Sequence, residues 1–149
     1  MTRRFALVSA YLHTNVQVPQ RKTELSAGYD IQASADVTLV PYQVTLIPTG
    51  LKALMAKDEV LLLAIRSSLA LKKQVMLANG VGVIDADYVD NPDNEGHIQV
   101  ALLNLSAQEV LIQKGQAVAQ GIFTRFLTTD DDNPGGQRHG GFGSTDQQV

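Results

Sequence analysis

The sequence contains no cysteine. Its absence excludes disulfides and thiolate metal sites and fits a reducing compartment. Long hydrophobic runs are missing too. The apolar stretch after Arg3 and Arg4 is short, is interrupted by Ser9 and carries no cleavage-site pattern, and nothing approaches the about 18 apolar residues of a membrane span. A soluble, cytoplasmic protein with no membrane partner is expected. Positive charge is in deficit: twelve Lys and Arg against fifteen Asp and Glu give a formal charge of −3, and the basic residues are scattered, so no nucleic-acid-binding surface is expected. The three His have no ligand spacing, and no internal repeat is visible.

What is present is a single-domain length of 149 residues, enough to bury a real core. Aliphatic and β-branched runs recur at short intervals between Pro, Gly, Asn and Asp. Strands are predicted over 5–11, 37–40, 44–47, 60–65, 75–77, 81–84, 97–105, 110–112 and 117–126. Asn79-Gly80 is the strongest hairpin signal in the chain. Only 67–73 leans helical, with Ser67 and Ser68 as capping-type residues ahead of good helix formers. This pattern implies an all-β sandwich or barrel with one short helix.

The C-terminal stretch is different in kind. Residues 128–137 are rich in Asp, Pro and Gly, and 138–145 read Arg-His-Gly-Gly-Phe-Gly-Ser-Thr. Such a segment has little to bury and gains order when a ligand occupies it. Backbone N–H groups, Arg138, Ser144 and Thr145 suit phosphate oxygens, and Phe142 offers a face for stacking a base. The plain alternative is a glycine-rich end of no function. Ten residues over 128–137 reach up to about 33–36 Å when extended, against a radius of gyration near ~15 Å for a compact chain of this size. The arm is therefore long enough to cross its own domain or reach a neighbouring copy.

Four further stretches gather polar groups, three of them beside glycine. Ala27-Gly28-Tyr29-Asp30 places a carboxylate after a tight turn, where a simple strand start is the alternative. Arg66-Ser67-Ser68 gathers a guanidinium and two hydroxyls at a helix start, as either an anion site or an ordinary cap. In 79–88, Gly82 allows close approach of a ligand to the backbone, strand-edge amides can read a base, and one carboxylate of Asp85 and Asp87 can orient a water. The two Asp alternate on a strand and so share a face, with Tyr88 opposite unless a bend intervenes; a solvated acidic loop is the alternative. In 115–120, Gln120 is expected on one face with Val118 and Ile122, as a phosphate contact or a satisfied structural amide.

Taken in order, these stretches and Gly140-Gly141-Phe142-Gly143-Ser144-Thr145 resemble the five motifs of the trimeric dUTP pyrophosphatases (dUTPases). The resemblance implies a distorted jelly-roll, β-clip-like fold, with a β-domain over 1–127 and a flexible arm over 128–149. It implies a homotrimer whose three sites share residues of all subunits. The implied reaction is hydrolysis of dUTP to dUMP and pyrophosphate, which limits uracil incorporation into DNA and supplies dUMP for thymidylate synthesis. Asp85 would orient the attacking water and contact the sugar 3′-hydroxyl, and Tyr88 would lie beneath the deoxyribose and exclude a 2′-hydroxyl. Asn79 and the backbone of Gly82, Val83, Ile84 and Gln99 would read uracil. Arg66, Ser67, Ser68 and Gln120 would bind phosphates, as would Arg138, Gly143, Ser144 and Thr145 of the arm, while Phe142 closes over the base. Asp30 would hold the waters of a Mg²⁺ chelated by the triphosphate, as an outer-shell residue.

The chain departs from the family pattern in places. Residues 89–95 are an insertion beside the sugar pocket, Ala117 stands where an Arg is usual, Arg138 lies one residue closer to Phe142, and Asp146 replaces a Gly. Two other readings use the same fold. One is a dCTP deaminase, whose proton-transferring Glu would fall on Ala101; the other is a nucleotide-controlled regulatory protein with a partner on the 89–95 insertion.

Overall fold

The structure, a computed structural model, describes residues 3–136 and 140–141. Eleven strands and one short helix are found among them. They are β1 (Arg4–Leu7), β2 (Tyr29–Gln32), β3 (Val37–Leu39), β4 (Val44–Pro48), β5 (Leu51–Leu54), β6 (Glu59–Ile65), α1 (Ser67–Lys73), β7 (Val75–Leu77), β8 (Gly82–Asp85), β9 (Gln99–Asn104), β10 (Val110–Ile112) and β11 (Ala117–Arg125). The strands form one four-stranded sheet, β2-β11-β6-β8, a three-stranded sheet, β4-β9-β7, and the two-stranded pairs β1-β5 and β3-β10, all antiparallel. This is the all-β, jelly-roll-like architecture expected. No described helix is long and apolar enough to cross a membrane.

Alternation along the strands builds the core. Val100, Leu102 and Asn104 of β9 turn inward, and Leu61 and Leu63 of β6 meet Ile31 of β2 and Val118 of β11 in one continuous cluster. Asn104 is fully buried because its amide is fully used: it donates to the carbonyls of Leu39 (3.0 Å) and Gln108 (2.7 Å) and accepts from the N–H and hydroxyl of Ser106.

Several local expectations are corrected. The strand expected over 5–11 ends at Leu7, and a 3-10 turn over Ser9–Tyr11 follows, where Ser9 is held by the carboxylate of Glu95. Helix α1 lies where it was expected, but Arg66 is its N-cap and no side chain caps it, so Ser67 and Ser68 stay exposed on the first turn. Asn79-Gly80 forms a turn, with Gly80 at φ +72° and its N–H on the carbonyl of Leu77. It joins no hairpin, because β7 pairs with β9 and β8 pairs with β6. The turn instead passes the chain from one sheet to the other. A bulge in β11 leaves Val118 opposite no residue of β2, so Val118 and Ala119 are both buried while Gln120 is exposed, which breaks the common face expected of Val118 and Gln120.

Candidate active site

β8 ends the four-stranded sheet, so its outer edge presents backbone groups that no strand ladder takes up. Across from that edge lies β9 of the other sheet. Between them is a cavity of about 300 Å³ lined by Asn79, Gly82, Val83, Ile84, Asp85, Tyr88 and Gln99, all of them candidates from the sequence, and by Val81, Val100, Ala101 and Gly141. The crossover at Asn79-Gly80 is what places one lip of this cavity.

Asp85 closes β8, opposite Val60 of β6. The strand stops there, so the expected alternation of Asp85 and Asp87 on one face fails: Ala86 and Asp87 form a turn, and the N–H of Tyr88 bonds the carbonyl of Asp85 at 3.1 Å. This bend carries Tyr88 into the same cavity as Asp85, while Asp87 lines a second groove that Asp85 also borders. Tyr88 is buried, and its hydroxyl donates to the carbonyl of His97 at 3.0 Å and accepts from the amide of Asn94 at 2.8 Å. Gly82 answers a packing need as well: the space of its missing side chain is taken by Leu63, its partner on β6, whose Cβ lies 3.0 Å from where a Cβ of Gly82 would stand.

A second cluster forms at the other end of β6. Arg66 continues that strand by donating its N–H to the carbonyl of Val118, and its guanidinium pairs with Asp30 of β2. Gln120 faces Asp30 in the β2–β11 register, and Gly28 leaves room for the Gln120 side chain, whose Cβ lies 3.2 Å from the position of a Gly28 Cβ. Burial works against the charge of Asp30, but the cations Arg66 and Lys22 outweigh it and hold the carboxyl below its usual range. Lys22, which belongs to none of the sequence motifs, pairs with Asp30 Oδ2 at 3.0 Å, and this buried carboxylate oxygen has a second lone pair with which to accept a further hydrogen bond.

Counted along β6, Arg66 lies six residues, or roughly 20 Å of extended strand, from Val60, which faces Asp85, and three residues, or roughly 10 Å, from Leu63, which faces Gly82 at the other end of the cavity. One chain therefore brings together the sugar- and base-reading candidates, and separately the candidates for phosphate and metal. Among the arm candidates, Arg138, Phe142, Gly143, Ser144 and Thr145, and with them Asp146, lie outside the described residues.

A sequence model of the dUTPase family matches residues 14–145. The chain belongs to the dUTPase family. The deoxyuridine 5′-triphosphate nucleotidohydrolase of Lactococcus lactis subsp. lactis is 49% identical over 145 residues, covering 96% of this chain and 97% of that one. Its counterpart in Helicobacter pylori strain P12 is 34% identical over 139 residues, covering 90% and 92%. The crystal structure of the dUTPase from Streptococcus mutans superposes with a TM-score of 0.81 at 42% identity, covering 85% of this chain and 98% of that one. The dUTPase of phage phi11 of S. aureus, at 21% identity and a TM-score of 0.73 over 91% and 97% of the two chains, shares the fold.

Proposed function

We propose that this dUTPase-family chain hydrolyses dUTP to dUMP and pyrophosphate in sites completed by neighbouring copies of itself, as a homotrimer. The observation that carries this reading is the pairing of an edge-strand cavity holding Asp85 and Tyr88 with a separate Arg66–Asp30 cluster about 20 Å away along β6. Asp85, assigned to the α-phosphorus, and Arg66, assigned to the phosphates, lie too far apart along that strand to serve one triphosphate from a single chain, whereas the cavity of one copy and the cluster of another can meet on it.

In this reading the β8 edge and Gln99 take the hydrogen-bonding edge of uracil, with Asn79 at the rim, and the close backbone leaves no room for a thymine methyl. The Tyr88 ring supports the deoxyribose and blocks a 2′-hydroxyl. The Asp85 carboxylate orients a water and takes its proton as the water oxygen bonds the α-phosphorus; the bond from that phosphorus to the bridging oxygen breaks, and pyrophosphate leaves with the electron pair. Arg66, Ser67, Ser68 and Gln120 neutralise and align the phosphates. The arm, residues 128–149, closes over the site, with Phe142 on the base and Arg138, Gly143, Ser144 and Thr145 on the phosphates, and excludes bulk water.

The residues fit Mg²⁺ in one role. No group of His, Asp and Glu among the described residues could cage an ion, which suits a cation that keeps its waters and binds mainly through substrate phosphates. Asp30 carries two cations and is a poor direct ligand, but its buried Oδ2 can accept a hydrogen bond from a metal-bound water. When bound, Mg²⁺ would neutralise charge on the triphosphate.

Deamination is disfavoured on structural grounds, since Ala101, where a proton-transferring Glu would stand, lines the cavity with a methyl group. The test is to incubate the protein with Mg²⁺ and dUTP, dTTP, dCTP or UTP separately and assay pyrophosphate, monophosphate and ammonia. Pyrophosphate and dUMP from dUTP alone are expected; ammonia from dCTP, or no product from dUTP, would overturn the reading.

A further inference from the structure

The insertion over 89–95 is a closed loop built on two asparagines. The N–H of Asp90 bonds the carbonyl of Glu95 at 3.2 Å, and the N–H of Glu95 bonds that of Asn91 at 2.9 Å. Asp90 and Glu95 adopt left-handed backbone, φ +57° and +61°, as does Gly96 at φ +78°. A side chain at Gly96 would strike the backbone of Val89 and Tyr88, so the loop closes tightly on its own base. Asn91, which is buried, accepts from the N–H groups of Asp93 and Asn94 and donates to the carbonyl of Tyr88 at 2.7 Å.

The orientation of the Asn94 amide follows from its partners. The Gly96 N–H can only donate and bonds Asn94 Oδ1 at 3.0 Å, and Asn91 Nδ2 donates to the same oxygen at 2.8 Å. Asn94 Nδ2 must then face the Tyr88 hydroxyl, which accepts from it and in turn has one proton to give, to the carbonyl of His97. The hydroxyl is held from two sides, and so is the ring that it ends.

The loop is also braced against the domain. Lys52 of β5, largely buried, pairs with Asp90 at 2.6 Å and Glu95 at 2.7 Å, while the other oxygen of Glu95 accepts from the Ser9 N–H and hydroxyl. The side chains of Asp90, Asn91, Asn94 and Glu95 are thus engaged within the molecule.

We propose that the insertion is a positioning device for the pocket, in which Asn94 is the positioning residue that fixes the Tyr88 ring and thereby sharpens the choice between deoxyribose and ribose. This rests on the reading of Tyr88 as the platform beneath the sugar. A ring free to tilt about its Cβ would admit a 2′-hydroxyl; a ring pinned at its far end would not.

The test compares kcat and KM for dUTP and UTP, with Mg²⁺, in the wild-type protein and in Asn94→Ala, Asn94→Asp, Tyr88→Phe and the Asn94→Ala/Tyr88→Phe double variant, with circular dichroism as a check on folding. Asn94→Ala should narrow the dUTP-over-UTP ratio of kcat/KM by about tenfold, the worth of one good hydrogen bond. Asn94→Asp keeps the acceptor for Gly96 and Asn91 and can hold the Tyr88 hydroxyl only by accepting the proton now given to His97, so it should narrow the ratio less than Asn94→Ala with the loop intact. Tyr88→Phe should narrow it as well, and adding Asn94→Ala to that variant should change it by less than about twofold. A wild-type ratio in folded Asn94→Ala, or equal effects of Asn94→Ala with and without the Tyr88 hydroxyl, would overturn the proposal. Failure of the wild-type protein to hydrolyse dUTP would instead overturn the functional reading beneath it.

Discussion

Gly141 lies against the ring of Tyr88 so closely that a Cβ on it would stand 2.6 Å from Tyr88 Cε2. Only a residue without a side chain fits at this contact between the arm and the pocket. Gly141→Ala should keep the thermal midpoint of the β-domain and lower dUTP turnover by roughly 10²-fold, the scale on which small misplacements of a site are felt. Unchanged kcat in this variant would show that the contact has no part in closure.

Asp85→Asn keeps the size of the side chain and removes the proton acceptor. We expect kcat to fall by about 10² to 10⁴, while calorimetry with a non-hydrolysable dUTP analogue finds affinity close to that of the wild-type protein. Substantial residual turnover would remove Asp85 from its assigned role.

Subunit mixing tests the shared site. Asp85→Asn and Arg66→Gln should each be inactive alone. When the two are unfolded together and refolded, mixed assemblies should regain dUTP hydrolysis, because one copy can lend an intact cavity and another an intact Arg66 cluster. If the mixture stays as inactive as its components, each site belongs to one chain.

Glu59 and His97 both shape the response of stability to acid, and Glu95 and Asp30, also held below their usual ranges, add to the lower step. The hydrogen bond from Arg3 holds Glu59 down to about 2 from its ordinary 4.5, aided by the N–H of Ala56 and opposed by burial. Its contribution is complete above about 4.5 and is lost as pH falls toward about 2, since the unfolded chain takes up the proton first. Burial lowers His97 below 6.5, and its Nε2 accepts the Gly50 N–H at 2.9 Å, which suits the neutral ring. Here too the unfolded chain binds the proton first, so stability should begin to fall as pH drops below 6.5. Urea midpoints measured across pH should show both steps. Arg3→Ala should shrink the lower one and His97→Gln should remove the upper one; a flat profile between pH 7 and 5 would contradict the assignment to His97.

Local sequence chemistry carried most of the secondary structure and little of the pairing. The alternating apolar run of β9 and the helix formers of α1 were legible because each pattern is complete within its own window. Strand β5, Leu51–Leu54, was missed because Leu, Lys and Ala carry no strand preference of their own; it is a strand through its pairing with β1. The Asn79-Gly80 signal gave a turn, but which strands flank it in space depends on long-range register. The same divide holds in the site. The motifs named Asp85, Tyr88 and Arg66, whereas Lys22 beside Asp30 and Asn94 beneath Tyr88 belong to no motif and become visible only when distant segments meet.

Strand β6 works as a ruler. With Val60 set opposite Asp85 at one end and Arg66 leaving it at the other, the separation of the two clusters is written in its residue count. The chain accommodates seven residues at 89–95, where the family pattern has one, without disturbing either end, because that loop folds back on itself. One residue added within β6 would lengthen the gauge by about 3.3 Å and turn every side chain beyond it to the opposite face. Engineering of this fold therefore has latitude at its margins and none along this single span.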